Sequence, residues 1–372
     1  MANVLSIVPY KIFPAKFGGQ KGIANFNEYF SRYHNLYCIT VKENSEDAAP
    51  YKIINKLSNK RLRYIDVSYF NLLKNIIREN NISHVILEHP YYGWLALLLK
   101  KFCGVKLILH SHNIESERFK TTGKWWWKIL WYYERYIHRN ADFTFCITEQ
   151  DRRYFIDQFK INTAKTAVIT FGIPWNAIPS TLERDTAKKT LLNKYSIDEK
   201  SVLFLFNGAL DYHPNLAAVR NIVDKINPIF VKENITYKIF ICGKNLPAEM
   251  DELKKNKDNN IIYAGFVDDI GVYFKGVDIF LNPVTDGGGI KTKLVEAIGY
   301  NLNAVSTLNG AIGVEEKLCN GKLLLCENLD WQSFSDKMKE AINIDKSTDS
   351  SFFENFYWDN IAQKAAKIVG QL

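Results

Sequence analysis

The segment richest in chemistry is Asn282-Pro-Val-Thr-Asp-Gly-Gly-Gly-Ile-Lys-Thr-Lys-Leu-Val-Glu-Ala-Ile, residues 282–298. A strand enters, Gly287, Gly288 and Gly289 turn the chain, and a helix leaves. Three residues without a Cβ let backbone amides come close to a ligand and allow positive φ. The start of the following helix adds unsatisfied N–H groups and the positive end of its dipole, a seat for phosphate. Lys291 and Lys293 contribute cationic charge, and Glu296 lies about one turn into the helix. A carboxylate there can accept two hydrogen bonds from the vicinal hydroxyls of a ribose. The combination suits a nucleoside diphosphate; the plainer alternative is a tight strand–helix turn with two solvated lysines.

Such a turn works only if a sheet holds it. Strands are expected at VLSIVPY (from Val4), LYCITV (Leu36), HVILEH (His84), KLILHSH (Lys106), DFTFCIT (Asp142) and AVITFGI (Ala167). The scheme repeats at VLFLFNGA (Val202), YKIFICGK (Tyr237), NIIYAGFV (Asn260), IFLNPV (Ile279), NAVST (Asn303) and KLLLC (Lys322). These short, nearly continuous apolar runs fit parallel strands covered on both faces. Amphipathic helical stretches separate them, so two doubly wound α/β domains are predicted. The polar, Pro-containing segment from Pro174 to Lys189 has no strand character and is taken as the hinge. Open α/β sheets bind ligands at the carboxyl ends of their strands, which places the expected chemistry in a cleft between the domains.

Bulk composition removes several classes. With 372 residues, 47% hydrophobic and 24% charged, the chain is globular and long enough for two domains. No apolar run approaches the roughly 18–20 residues needed to span a bilayer, and the N-terminus lacks the layout of a signal peptide. A cytoplasmic protein is therefore expected. Cys38, Cys103, Cys146, Cys242, Cys319 and Cys326 are scattered without a Cys-x-x-Cys pair, which indicates neither a disulfide framework nor a zinc site. A net charge of +8 suits an anionic partner, but no basic tract or motif points to nucleic acid.

The string GGGIKTKLVEAIGYNLNAVSTLNGAIGV resembles the donor-binding signature of the retaining glycosyltransferases of family 4. FNGALDYHPNLAAV, 206–219, is similar to the start of the second domain in one branch of that family, where Gly208, Asp211, Tyr212, Pro214 and Asn215 fit a Gly-x-x-Asp-Tyr-x-Pro-Asn pattern. The similarity runs through most of 202–314. It implies the GT-B fold, two Rossmann-like domains facing a central cleft. It also implies transfer of a sugar from a nucleotide-diphosphate sugar to a glycan or lipid-linked acceptor, in surface polysaccharide or glycoconjugate synthesis. The acceptor domain would be 1–175 and the donor domain 176–354, with a C-terminal helix, 355–372, packing back on the first domain. Phe17-Gly-Gly-Gln-Lys-Gly resembles the family's first glycine-rich loop and assigns Gly18 and Gly19 to the diphosphate; an ordinary turn is the alternative. Within 110–118 His112 matches a histidine near the donor sugar, able to donate to a hydroxyl or stabilise the leaving phosphate; otherwise it caps the strand end. Phe266 and Val267 match the place where relatives bind the base, and they otherwise end a buried strand.

The sequence departs from the family in two places. Glu296 matches the second of two acids eight positions apart, but the first falls on Gly288, so the amides of Gly289 and Ile290 are assigned to the sugar hydroxyls and Glu296 to ribose. The usual Arg and Lys after the second domain's first strand are missing, which leaves charge neutralisation to Lys291, Lys293 and the helix start. His112 and Lys291 are thus the candidate catalytic residues. A retaining transfer without an enzymic nucleophile suits front-face attack by positioning and charge stabilisation. No cofactor and no divalent metal are expected, since no Asp-x-Asp pair has a metal-binding setting.

Residues 119–139 mix Trp125, Trp126, Trp127 and Trp131 with Lys120, Lys124, Lys128, Arg135 and Arg139. Such a helix fits an anionic membrane surface, while packing of some tryptophans on the first sheet is the alternative. Two other functions stay open: an epimerase-like nucleotide-sugar enzyme of the same fold, and a nucleotide-sugar-binding protein without catalysis.

Overall fold

Every apolar run singled out above contributes to a strand, AVITFGI only through Ala167 and Val168, and all strand pairs are parallel. The computed structural model describes residues 1–15, 18–45 and 49–372. One unit comprises Met1–Pro174 with Asn355–Leu372, and a second comprises Trp175–Glu354. The first carries β1 (Asn3–Ile7), β2 (Asn35–Val41), β3 (Lys52–Leu57), β4 (His84–Glu88), β5 (Lys106–Ser111), β6 (Phe143–Cys146) and β7 (Thr166–Val168). They lie in the order β3-β2-β1-β4-β5-β6-β7. The second carries β8 (Val202–Asn207), β9 (Tyr237–Cys242), β10 (Ile261–Gly265), β11 (Ile279–Asn282), β12 (Asn303–Thr307) and β13 (Leu323–Cys326), ordered β10-β9-β8-β11-β12-β13. Helices on both faces explain the unbroken apolar runs: Val4, Leu5, Val85, Ile86 and Leu87 are all fully buried.

Two local expectations need correction. Lys52–Leu57 is an edge strand that the sequence did not suggest: Lys52 and Lys56 face water and Ile53 and Ile54 are half-buried, so the apolar signal is broken. The segment read as a hinge, Pro174 to Lys189, contains the start of the helix Thr181–Tyr195. Ser180 Oγ accepts the Glu183 N–H and Glu183 accepts the Ser180 N–H, a complete capping box.

Strand order turns around between β1 and β4 in the first unit and between β8 and β11 in the second. Crossovers diverge to opposite faces there, leaving a crevice at the carboxyl ends of those two strands. Whatever each unit binds should therefore sit after Ile7 and Glu88, or after Asn207 and Asn282.

The C-terminal helix Trp358–Val369 belongs to the first unit. Trp358, Ile361, Ala362, Ala365 and Val369 are buried, and the helix packs on Gly18–Phe30. Phe356 O accepts the Ile173 N–H at 2.7 Å and Ile173 O accepts the Trp358 N–H at 3.0 Å. A Cβ at Gly172 would stand 2.9 Å from Phe356 O and from Trp358 Cδ2, so the chain passes here only as glycine.

Candidate functional site

In the second unit the crevice is built from glycine contacts. A Cβ at Gly243 would lie 2.0 Å from Gly208 O, and one at Gly208 would lie 2.6 Å from Asn215 Nδ2. Both positions therefore need glycine for close approach. Asn215 Nδ2 donates to Ala209 O at 2.9 Å, closing the turn after β8. Asp211 stands exposed beyond it and accepts from Asn245 Nδ2 at 2.8 Å. At the end of β10, Gly265 takes φ 67°, Phe266 is 71% exposed and Val267 is half-buried. A bare phenyl face at a strand end is available for stacking.

The 287–290 bend follows β11. Asn282 anchors its base, donating through Nδ2 to Ser306 Oγ at 3.0 Å and Gly310 O at 2.8 Å. Gly287 and Gly289 adopt φ of 83° and 73°, the left-handed region that favours glycine. Gly288 does not, and it is exposed. Lys291 Nζ donates to Gly287 O at 2.7 Å and Gly289 O at 3.0 Å, so the ammonium gathers the carbonyls of the bend. Asp286 Oδ1 accepts the Gly287 N–H at 2.7 Å. The helix Thr292–Gly299 then begins at Lys291 with no side chain capping it, which keeps its positive end open to an anion. Glu296 Oε2 holds Lys293 Nζ at 2.7 Å, so a ribose reaching Glu296 must share that carboxylate with the lysine. The structure thus brings Gly208, Asp211, Phe266, Val267, Gly287, Gly288, Gly289, Ile290, Lys291, Lys293 and Glu296 to the carboxyl edge of one sheet. Lys291 shapes the bend in addition to adding charge.

In the first unit Gly18 and Gly19 are not loop residues: they form the first turn of the helix Gly18–Phe30. Phe17 lies outside the described residues. Among the described residues, a Cβ at Gly19 would meet Tyr10 Oη, at 3.9 Å. At the β1/β4 crevice the structure collects a network that sequence reasoning found only through His112. Glu88, wholly buried at the end of β4, accepts from His112 Nε2 at 2.6 Å and from His110 Nδ1 at 3.0 Å. His89 Nδ1 stands 3.0 Å from Glu115 Oε1, and its Nε2 stands 2.9 Å from Tyr10 Oη. Glu115 Oε2 also accepts from Tyr91 Oη at 2.6 Å and Arg118 Nη2 at 2.6 Å. The His112 ring packs between His110 and His89, with centroids 4.3 and 4.7 Å away.

The charges follow from these contacts. Burial works to raise the Glu88 carboxyl, but the adjoining His110 and the hydrogen bonds from His110 and His112 outweigh it and hold Glu88 far below the usual carboxylate range. Burial and the neighbouring His110 press His112 down to about 4, against the pull of Glu88. Glu115 is likewise buried, yet the His89 contact, Arg118 and Tyr91 bring it to about 2. Glu134 behaves in the opposite way. Wholly buried, it accepts the Glu115 and Ser116 N–H groups at 3.0 Å each, and burial still pushes it up to about 7. The available signal for this network was Glu88-His89-Pro90 directly closing a strand, but its partners lie 22 to 26 residues away.

Ligating atoms of Glu88, His110 and His112 lie within 4.8 Å of one another, a spacing that could hold a metal ion. The 2.6 Å between His112 Nε2 and Glu88 Oε2 is that of a direct hydrogen bond. Two ligands on a tetrahedral zinc at about 2.05 Å would stand about 3.3 Å apart. In this arrangement a proton bridges the pair.

The 119–139 segment divides its aromatics. Trp131 Nε1 donates to Tyr154 Oη at 3.0 Å and its ring packs on Phe159, while Trp126 packs on Phe119. Trp125, Ile129, Tyr132 and Tyr136 are 60–83% exposed; Ile129, Tyr132 and Tyr136 share one face of the helix Trp127–Asn140, and Trp125 lies in the turn before it. Exposed Lys124, Lys128 and Arg139 lie among them. Among the described residues, no helix is long and apolar enough to cross a membrane.

Comparison with known proteins matches residues 18–174 to the family model described as Glycosyltransferase Family 4 and residues 201–343 to Glycosyl transferases group 1. An O-antigen biosynthesis glycosyltransferase, WbnH of Escherichia coli, is 23% identical over 72% of this chain and 70% of its own. Chitobiosyldiphosphodolichol beta-mannosyltransferase of Debaryomyces hansenii is 24% identical over 90% of this chain and 73% of its own. Among solved structures, HepE of Anabaena in complex with UDP superimposes with a TM-score of 0.71 at 14% identity, covering 100% of both chains. The same protein has been solved with UDP-glucose. The two parallel-sheet units are those of the GT-B fold.

Proposed function

Starting from a chain that belongs to the family-4, group-1 glycosyltransferases, we propose that it is a retaining enzyme using a nucleoside-diphosphate sugar and no divalent metal. The acceptor is a hydroxyl of a glycan or lipid-linked glycan, in the assembly of a surface polysaccharide or glycoconjugate. The observation that carries this reading is the uncapped Thr292–Gly299 helix start behind the Gly287–Gly289 bend, at the point where strand order turns. Backbone amides, the helix dipole and Lys293 supply positive charge where a diphosphate needs it. Glu296 serves ribose, Gly289 and Ile290 serve the sugar, Phe266 and Val267 serve the base, and His112 serves the transferred sugar. Gly18 and Gly19, in the first turn of the helix Gly18–Phe30, serve the diphosphate.

Transfer then requires no enzymic nucleophile. The bond from the anomeric carbon to the diphosphate oxygen breaks, the acceptor oxygen bonds to the same face, and the acceptor's proton passes to the departing phosphate oxygen. The protein positions the partners and stabilises the leaving charge. The complexes of HepE with UDP and UDP-glucose support a nucleotide-sugar donor, and the names of the O-antigen and dolichol relatives support a glycan or lipid-linked acceptor. The exposed Trp125, Ile129, Tyr132 and Tyr136 among lysines support seating on the anionic cytoplasmic face of a membrane, where lipid-linked acceptors lie.

A thermal-shift panel of UDP-, GDP-, ADP- and CMP-sugars, followed by turnover of the best donor with and without acceptor extract, tests the reading. Acceptor-dependent consumption of donor that persists in EDTA is expected. Loss of transfer in EDTA with recovery in manganese overturns the metal-free mechanism, and donor consumption without acceptor favours an epimerase.

A further inference from the structure

The three histidines of the β1/β4 crevice differ in what is left for them to do. His89 is satisfied at both nitrogens, by Glu115 at 3.0 Å and Tyr10 at 2.9 Å. His110 is 2% exposed, gives Nδ1 to Glu88, and leaves Nε2 buried without a partner among the described residues. His112 has a 2.6 Å carboxylate contact at Nε2 and a side chain 12% exposed, and its Nδ1 is not taken up by Glu88.

The carboxylate decides which atoms carry the hydrogens. Glu88 is fully buried, and among the described residues its bonding partners are the two imidazoles. An ionised carboxylate only accepts, so the nitrogens facing it, His110 Nδ1 and His112 Nε2, must both donate. The neutral His112 ring has one N–H, which leaves its Nδ1 as a bare lone pair. The groups facing His112 are Glu88 from β4, His89 just beyond it, His110 from β5 and, behind His89, Glu115 and Tyr10. Two neighbouring imidazoles and a desolvated setting disfavour a second proton on His112, in keeping with its lowered pKa.

We infer that Glu88 is a positioning residue that locks His112 with its hydrogen on Nε2, so that Nδ1 meets the donor sugar as a hydrogen-bond acceptor. This rests on the proposal that His112 serves the transferred sugar, and it reverses the direction of the hydrogen bond expected from the sequence. It also fixes what the position selects. A lone pair accepts from a sugar hydroxyl and repels an anionic oxygen, so His112 recognises a neutral, hydroxyl-bearing part of the sugar and does not stabilise the leaving phosphate.

Long-range ¹⁵N–¹H NMR of histidine-labelled full-length protein at pH 7 reads the state of His112 directly, with His112→Gln used for assignment. Protonated Nε2 and bare Nδ1 are expected; a hydrogen on Nδ1 overturns the lock. Donors in which each sugar hydroxyl is replaced in turn by fluorine give a second readout. Fluorine accepts but cannot donate, so at one position the fluoro donor should lose about tenfold in kcat/KM, matching the deoxy donor. A fluoro donor that recovers the deoxy loss at that position shows that His112 donates and overturns the inference. Glu88→Gln should mix the His112 tautomers and lower kcat about tenfold or more, with Glu88→Asp restoring the Nε2–H form. Should His112→Gln leave transfer unchanged, the placement of His112 at the sugar fails, whereas the NMR result judges the Glu88 lock alone.

Discussion

Replacing Gly288 by alanine separates what a ligand requires of the bend from what the fold requires. Its φ lies outside the left-handed region, and a Cβ there would meet nothing within 4 Å. Gly287, by contrast, sits at φ 83° and its Cβ would come within 3.3 Å of Pro214 Cγ. Folding stability of Gly288→Ala should therefore stay within about 0.5 kcal/mol of wild type, since the loss of chain freedom in the unfolded state works slightly in its favour. Binding is a different matter. With the diphosphate sugar against the 287–290 amides, the new methyl takes the space the ligand occupies and breaks at least one charge-assisted N–H contact. That loss is about 1.5–3 kcal/mol, or roughly 10- to 150-fold in Kd. Calorimetric titration with the best donor, beside thermal melts of both proteins, measures the two effects separately. Gly287→Ala should lose about 1 kcal/mol of stability as well as affinity, because its backbone conformation disfavours a side chain. A Gly288→Ala protein that melts normally and binds the donor with wild-type affinity would refute the claim that the ligand rests on this bend.

Other expectations are equally direct. Glu134 goes from 4.5 unfolded to about 7 folded. A raised carboxyl value means the native state holds the proton more tightly, so its stabilising effect is complete below the unfolded value and lost as pH rises through the folded one. Between about pH 5 and about pH 8 the wild type should lose roughly 2–3 kcal/mol relative to Glu134→Gln. Urea melts followed by tryptophan fluorescence report it, since Trp94, Trp125, Trp126, Trp127, Trp131 and Trp358 all lie in that unit; parallel pH profiles would sink the assignment. Gly243→Ala forces a methyl into Gly208 O and should cost about 3 kcal/mol in thermal denaturation. Combined Trp125→Ser, Ile129→Ser and Tyr132→Ser should weaken sedimentation with anionic vesicles at least about tenfold at low salt, and wild-type protein that ignores such vesicles ends the membrane proposal.

Parallel strands buried on both faces announce themselves in sequence because every position is apolar, which is why β1, β4, β8 and β11 were readable from residue type alone. Lys52–Leu57 escaped because an edge strand keeps water on one side and breaks the run with Lys52, Asn55 and Lys56. Thr181–Tyr195 escaped although Ser180-x-x-Glu183 spells a capping box, since its polar composition and weak amphipathic pattern resemble a linker. The donor-side bend was legible because its chemistry is local, with glycines, lysines and a glutamate inside one short segment. The histidine network was not, because Tyr10, Glu88, His89, His110, His112 and Glu115 come from three separate stretches that meet only when β1, β4 and β5 pair. Long-range hydrogen-bond partners leave no periodic trace.

The paired backbone bonds between Ile173 and the Phe356–Trp358 stretch make Trp175–Glu354 a parcel of chain spliced into an otherwise closed partner. Its point of departure and its point of return lie one hydrogen bond apart. A protein ending at Pro174 would therefore be missing the helix that covers Gly18–Phe30 and would carry a bare apolar groove where Trp358, Ile361 and Ala365 belong. A chain in which a few glycines and serines replace the whole intervening stretch keeps that cover, so excision through the middle is the gentler cut and truncation from the end the harsher one.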